Sequence, residues 1–561
     1  MSTLELVLGP HLSSVEKALG NLSKDDVVRR IWAHDHTVWK PEPTEITNRL
    51  GWLKIAESMR THLRELADFT SAVRAAGYTH ALLLGMGGSS LGAEVIRKTF
   101  GVKQGYPDLA VLDSTDPASV ASHAQRLVPE KSLFIVPTKS GTTAETLSFF
   151  KFFYTWSKNS ICSENPGEHF VAITDPGTPL ISLAEKYSFR KVFSGEPTIG
   201  GRYSVLSAFG LVPASIIGAD IPTLLDRAES MAGLCKNQAN ENPGARLGAA
   251  LGILAGSGRD KLTFIISKQI ASFGDWVEQL IAESSGKEGK GVLPVIGEAL
   301  GDIDTYGKDR VFVFVSLPGD SSNETITKLK NAGHPVIKIT LDDIYDLGAQ
   351  FFLWEFATAV ACHHLGINPF DQPDVESAKV LSRKAMEEYS RKGRLASSDP
   401  FLCEDSVCIY GVTKAASMKE ALRDYLNQSC IGSYVSIQAY LKPDSRTDEA
   451  LNTLRLLIRD KFLLATTVGY GPRFLHSTGQ LHKGDAGRGY FIQITCDDHG
   501  DLSIPDEAGS IVSSVSFGIL KASQAIGDFQ ALSDAGRHII RLHIQDPDIP
   551  AAISRIAKSL R

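Results

Sequence analysis

The stretch "HALLLGMGGSSLGAEVIRKTF", His80–Phe100, decides the fold. A short apolar run, Ala81–Leu84, reads as a buried strand, and it passes straight into Gly85-Met86-Gly87-Gly88. Ser89 and Ser90 then open a helical pattern. Gly87 and Gly88 let the backbone approach a ligand, and Ser89 sits where a helix N-cap is expected. A strand, a glycine turn and a helix N-terminus together favour an anion. The spacing is not GxGxxG, so a dinucleotide site is not indicated. A structural tight turn with an ordinary cap fits this one motif nearly as well.

Outward from it, strands and helices alternate, which predicts parallel α/β layers. "AVLDS", "SLFIVPTKSG" and "HFVAITDP" are strand–turn units, each followed by a helical pattern. "KLTFIIS", "VFVFVSL" and "PVIKITL" form a second series, and "GAQFFLWEFATAVACHHLG" is a long apolar helix. A third series runs through "VCIYGV", "YVSIQAYL", "KFLLATTVG", "YFIQIT" and "HIIRLHI". Before all of these, the first ~50 residues and then residues 47–77 read as helices on their apolar spacing. The polar segment 386–401 is the expected linker.

At 561 residues the chain exceeds one core, and three or four domains, or two large ones with extensions, are expected. A net charge of -6 gives no basic footprint for nucleic acid, so any anion site is local. The seven cysteines show neither CxxC nor ligand spacing, which predicts reduced, mostly buried thiols in a cytoplasmic protein. The N-terminus lacks the pattern of a signal peptide, and no apolar run approaches the ~18 residues of a membrane span.

Four further motifs carry chemistry. In "IVPTKSGTTAET", Thr138, Lys139, Ser140, Thr142 and Thr143 crowd five donors into six positions before a helix, whose first turn holds Glu145 and Thr146. That density suits a phosphate monoester and exceeds what a polar loop with caps requires. In "IGGRYSVLSAFG", Arg202 follows two glycines and is placed to stabilise developing negative charge; a surface arginine fits equally. In "FGDWVEQLIAESSGKEGKG", Gln279 and Glu283 share a helix face one turn apart. Glu283 stands at the helix end, where the dipole disfavours the anion and suits a general base, although by pattern alone a solvated glutamate fits better. In "LGINPFDQPDVESAK", Asp374 is the expected N-cap of a helix carrying Lys379, a residue that on spacing alone reads as solvated.

"GMGGSSLG", "TKSGTTAET", "GGRYSVLSAFG", "QLIAESSGKEGKG" and "NPFDQPDVESAK" together resemble, in order, the motifs of the phosphoglucose isomerase family over roughly 80–380. "IWAHDHTVWK", "RLGWL" and the C-terminal third resemble the isomerase half of bacterial transaldolase–phosphoglucose isomerase fusions. No transaldolase barrel fits the fewer than ~80 residues ahead of the first strand of this series. The resemblance implies an α/β fold with two doubly wound parallel-sheet sugar-isomerase (SIS) domains. An N-terminal helical segment would span 1–76, the phosphate-binding SIS domain 77–230, and the SIS domain with the catalytic Glu and Lys 231–390. A C-terminal α/β extension, 391–561, would pack on the second SIS domain.

It further implies that Ser89, Thr138, Lys139, Ser140 and Thr143 bind phosphate, with Gly87 and Gly88 at the backbone approach. Arg202 would stabilise an enediolate, Glu283 would move the proton between C1 and C2 with Gln279 beside it, and Lys379 would assist at the ring. The family's ring-opening histidine is missing from its usual place, because the chain after Glu283 runs to Asp320 without a histidine. "FLHSTGQLHKG" resembles the missing block, moved past the lysine segment and docking on the same sheet edge. His476 would then open the ring. In the family that residue comes from the partner subunit. His482 is expected at the surface or as a supporting polar group, and one of His363 and His364 as a satisfied core histidine.

The implied activity is aldose–ketose isomerisation of glucose 6-phosphate and fructose 6-phosphate through a cis-enediol, in glycolysis and gluconeogenesis. No step calls for a metal or another cofactor. An isomerase of other specificity, such as mannose 6-phosphate, and a non-catalytic sugar-phosphate sensor are the alternatives. Nucleic acid and membrane are not expected as partners, and a homodimer and a separate transaldolase partner are left open.

Overall fold

The computed structural model describes residues 2–161, 165–320, 322–396, 399–411 and 414–561. Three sheets organise it. The strands in chain order are β1 Thr3–Val7, β2 His80–Leu84, β3 Asp108–Leu112, β4 Ser132–Pro137, β5 Phe170–Thr174 and β6 Lys191–Ser194. β7 Lys261–Ile266, β8 Leu293–Val295, β9 Arg310–Ser316 and β10 Val336–Thr340 follow. The last are β11 Leu402–Glu404, β12 Val407–Tyr410, β13 Tyr434–Tyr440, β14 Ala465–Tyr470, β15 Gly489–Cys496, β16 Ser503–Ile504, β17 Val515–Ser516 and β18 His538–Ile544.

The first sheet has the order β3-β2-β4-β5-β6 and is parallel throughout. The chain reverses its winding between β2 and β4, which lie side by side. Loops at the carboxyl ends of such a pair form a crevice. Those loops are Gly85–Ser89 and Thr138–Thr143, so the topology places the two donor-rich motifs next to each other. β4 is buried along its whole length, and Phe134, Phe150, Phe153 and Phe170 pack in the core around it.

The second sheet has the order β1-β10-β9-β7-β8, with all but β1 parallel. β1 corrects the expectation of an all-helical start. The alternation in "TLELV" turns Leu4 and Leu6 to one face, and the strand pairs antiparallel with β10, covering the sheet's edge. The single helix expected over 47–77 is also divided, with 3-10 turns at Gly51–Lys54 and Arg60–His62 before the helix Leu63–Ala75. The helix Leu347–Leu365 is apolar all round and buried against the helices Pro243–Gly256 and Ile221–Leu234.

Residues after 400 build their own six-stranded sheet, β11-β12-β18-β15-β13-β14, instead of extending the edge of the second one. It packs on both preceding units. Leu481, Phe491 and Ala465 meet Ala282, Leu293 and Val295 of the second unit. Ile504, Phe517 and Leu520 join the core of the first. The first part of the expected linker is helical, since the helix Glu376–Lys392 runs into it and ends at Gly393 in the left-handed region. Ser397 and Ser398 lie outside the described residues.

Cys403 and Cys408 are directly opposite across the β11–β12 pair and form a disulfide, against the expectation of reduced thiols throughout. Cys235 and Cys362 are buried free thiols, Cys496 is half-buried and Cys430 is exposed. Among the described residues, no helix is long and apolar enough to cross a membrane.

Candidate active site

A cavity of about 370 Å³ opens at the carboxyl end of the first sheet. Its walls include Gly87, Gly88, Ser89, Lys139, Ser140, Thr143, Arg202, Gln279, Glu283, Lys379 and His476. Residues from distant parts of the sequence thus meet in one chamber, and all of them belong to a single chain. A larger cavity, about 820 Å³, lies between the loop after β3 and the carboxyl ends of β13, β15 and β18, but none of the five motifs' candidate residues reaches it.

The glycines act first through the protein's own packing. A Cβ at Gly88 would stand 2.2 Å from the carbonyl oxygen of Gly201, and one at Gly87 would stand 2.7 Å from that of His476. Gly87 also has φ +52. Their bareness therefore lets the Arg202 loop and the His476 loop close on the first motif. Ser89 is not the N-cap. It ends a 3-10 turn, Gly87–Ser89, and Ser90 takes the cap position of the helix Leu91–Phe100.

In the second motif the donors divide. Thr143 stands at the N-cap of the helix Ala144–Ser160, and its side chain bonds none of the helix amides. Thr138 is buried, does not line the cavity, and bonds the Thr143 hydroxyl at 2.8 Å. That contact ties the two hydroxyls of the motif together. Lys139 lines the cavity, but its ammonium binds both oxygens of Asp175, at 2.6 and 2.7 Å, and the Glu196 carbonyl at 2.7 Å. Burial pulls its pKa down, against the pull of Asp175.

Arg202 is 2% exposed and all five of its N–H donors are used. Nε donates to Ser284 Oγ at 2.8 Å; Nη1 donates to Glu283 Oε1 and Gln372 Oε1, each at 3.0 Å. Nη2 donates to the carbonyls of Pro369 at 2.7 Å and Asp371 at 3.0 Å. One guanidinium thus ties the glutamate helix to the "NPFDQP" loop. Glu283 lies in the last turn of the helix Phe273–Ser285 with its side chain 13% exposed. Its second oxygen accepts from Gln279 Nε2 at 2.9 Å, and the same amide donates to the His476 carbonyl at 2.8 Å. The buried Lys287 fixes the facing loop through Asn368 and Asp371.

His476 ends the 3-10 turn Arg473–His476 after β14. Its Nε2 lies 2.9 Å from Glu145 Oε1. Burial works to raise the Glu145 pKa, but the charge and hydrogen bond of His476 outweigh it and hold the carboxyl below its ordinary value. Gln524 donates to the same Glu145 oxygen at 2.7 Å, and Thr115 donates to Gln524 at 2.8 Å. The loop is pinned at two more points. Arg473 forms a double ion pair with Asp113, and Gln480 donates to Asp374 at 2.6 Å while accepting from its backbone N–H at 2.9 Å. Asp374 therefore serves the histidine loop and is not the expected N-cap, which is Val375. Lys379 lines the cavity with its side chain 48% exposed and a loose 3.5 Å contact to Glu376.

His482 is buried between Phe474 and Phe491, contrary to the surface alternative. Burial, then the charges of Lys483 and Arg537, drive its pKa far down, so it is a neutral core imidazole. His363 bonds the Val38 carbonyl at 2.6 Å, the satisfied histidine expected in that helix. Three site residues were not singled out from the sequence. Arg49 and Asp175 line the cavity, and Glu145 carries His476. Only Glu145 had a signal, a carboxylate in the first turn of the phosphate-motif helix.

The first, parallel sheet with the chamber at its switch point, beside the mostly parallel second sheet, defines a doubly wound α/β protein. A crystal structure of a hypothetical protein from Thermus thermophilus superposes with a TM-score of 0.59 at 26% identity, over 68% of this chain and 99% of that one. A Chlamydia trachomatis glucose-6-phosphate isomerase shares the fold, with a TM-score of 0.57 at 20% identity over 67% of this chain and 86% of its own. The profile of the family described as Phosphoglucose isomerase matches residues 53–308. Curated relatives include the probable glucose-6-phosphate isomerase of Methanococcus maripaludis, 29% identical over 61% of this chain and 85% of the relative. Another is the glucose-6-phosphate isomerase of Rubrobacter xylanophilus, 28% identical over 68% of this chain and 97% of its own. Lys379 and His476 lie beyond the profile match, so their place in the site rests on the geometry above.

Proposed function

We propose that the chain interconverts glucose 6-phosphate and fructose 6-phosphate. The observation that carries this reading is Glu283, a cavity-facing carboxylate held between Arg202 and Gln279, in one chamber with His476, Lys379 and the hydroxyl residues Ser89, Ser140 and Thr143. Binding the phosphate at Ser89, Ser140 and Thr143 fixes the far end of the sugar, and that remote energy positions C1 and C2. His476 and Lys379 transfer the proton between the ring oxygen and the anomeric hydroxyl, opening the ring. Glu283 takes the C2 proton, the C2–H pair becomes the C1=C2 bond and the C1=O pair moves to O1; the O2 proton passes to O1 through the cis-enediol, and C2=O forms from O2 as C1 is protonated. The fixed charge of Arg202 stabilises the carboxylate that must accept and return this proton. Glu283 then delivers it to C1. The closer kinship with the isomerase half of transaldolase fusions belongs to the same proposal and rests on residues 31–53 and the C-terminal third.

The test is a coupled assay of the purified chain with fructose 6-phosphate, run beside mannose 6-phosphate. Glu283→Gln preserves shape and removes the base, so turnover falls by about 10²–10⁴-fold while KM changes little. Wild-type turnover in that variant removes Glu283 as the base, and activity on mannose 6-phosphate alone reassigns the substrate.

A further inference from the structure

We infer that Arg49, from the N-terminal strap, is the guanidinium that recognises the substrate's phosphate, and that Lys139 is a structural lysine. This rests on the sugar-phosphate reading above. It begins with a count of donors. A phosphate dianion needs cationic N–H groups that are not already committed. Lys139 has three hydrogens, and Asp175 and the Glu196 carbonyl take all three contacts. Arg202 spends its five donors within the protein. Lys379 retains donors and stands among Ser140, Thr143, Glu145 and His476, and the reading above assigns it to the sugar ring.

Arg49 is the other cation lining the cavity that keeps an uncommitted N–H. It stands at the end formed by the phosphate motif, because it donates to the Pro197 carbonyl, next in sequence to the Glu196 carbonyl that holds Lys139. Nε and Nη2 converge on one oxygen of Glu45, at 2.9 and 2.8 Å, and Nη1 reaches the Pro197 carbonyl at 3.2 Å and, weakly, the Asn48 carbonyl at 3.4 Å. One Nη2 hydrogen is left over. The Glu45 carboxylate is 37% exposed, so water can replace the guanidinium there when a dianion arrives.

The strap that presents Arg49 is rigid. Ile46, Leu50 and Trp52 are buried on either side of it. Gly51 donates its N–H to the Thr198 carbonyl at 3.0 Å. A Cβ at Gly51 would stand 2.1 Å from Thr198 Oγ1, so only glycine lets the strap lie against the 196–199 loop. That loop is also where Lys139 is anchored, through Glu196. Lys139 thus holds the wall against which Arg49 works.

The test uses the full chain, titrated with inorganic phosphate by calorimetry, beside the KM for fructose 6-phosphate. In Arg49→Ala the dissociation constant for phosphate and the KM both rise roughly 10- to 100-fold, while kcat stays within about threefold. Arg49→Lys recovers part of the loss, because it keeps the charge without the fork. Unchanged phosphate binding in Arg49→Ala overturns the inference. If that variant does not fold, Arg49→Lys decides, and an unchanged dissociation constant there overturns it equally. A wild-type chain that binds phosphate but does not isomerise fructose 6-phosphate sinks the isomerase reading and leaves Arg49 to be judged by the titration.

Discussion

Glu145→Gln separates what holds His476 from what His476 does. The two groups approach to 2.9 Å, and their side chains are 8% and 19% exposed. At an effective dielectric of ~20, unit charges at that distance attract by about 6 kcal/mol. Desolvation of both groups offsets much of this, so the coupling measured in a double-mutant cycle with His476→Asn should be about 2–3 kcal/mol. Catalytically, the loss falls on ring opening, because the imidazole no longer has a carboxylate to orient it and to stabilise its protonated form. Turnover of cyclic fructose 6-phosphate should fall by about 100-fold, the lower end of what a positioned acid contributes. Proton exchange at C2 of an open-chain tetrose 4-phosphate, which cannot close a ring, should fall by less than about fivefold.

The pH dependence follows from the sign of the shift. Glu145 has its carboxyl pKa below the ordinary value of 4.5, so its stabilisation is present above that value and disappears as pH falls through the lowered one. Glu145→Gln should therefore flatten the acid limb of the stability curve below pH 4.5. Equal slowing of cyclic and open-chain substrates would refute the ring-opening assignment. An unchanged rate on both would show that His476 does not depend on Glu145.

Gly88→Ala should raise KM at least tenfold and destabilise the chain by about 2–4 kcal/mol, because its Cβ would meet the Gly201 carbonyl at 2.2 Å; urea unfolding and the coupled assay check both. Glu94 titrates at about 2: burial alone would raise it, but Arg97 and Lys98 outweigh that. Its folded pKa is depressed from 4.5, so about 3 kcal/mol of stability is present above pH 4.5 and lost between there and pH 2. Glu94→Gln should remove that much at pH 7, read from chemical denaturation at pH 7 and pH 3.

The parallel α/β class was legible because a strand buried on both faces has to be apolar, and because glycine must stand where the chain turns from strand to helix at close quarters. The donor cluster after β4 was legible for a similar reason, since local chain geometry alone brings five neighbouring polar groups to one helix end. Glu283 and Gln279 could be placed on one helix face from their spacing. The start at β1 was missed because five alternating residues form a strand only when an unpaired edge, here that of β10, awaits them.

What the sequence determined by itself was therefore local: which segments are strands, which turns carry donors, which helix faces carry acids. Tertiary structure alone decided how those donors are used. Lys139 looks free in the sequence, yet Asp175, 36 residues away, takes its charge. Glu145 looks like an ordinary first-turn acid until His476, 331 residues away, lies against it. Arg49 gains its place only because Gly51 lets a distant loop pack flat. Hydrogen bonds and ion pairs between remote segments depend on distances of a few ångströms. The spacing of residues along a chain does not specify those distances until the sheets have packed.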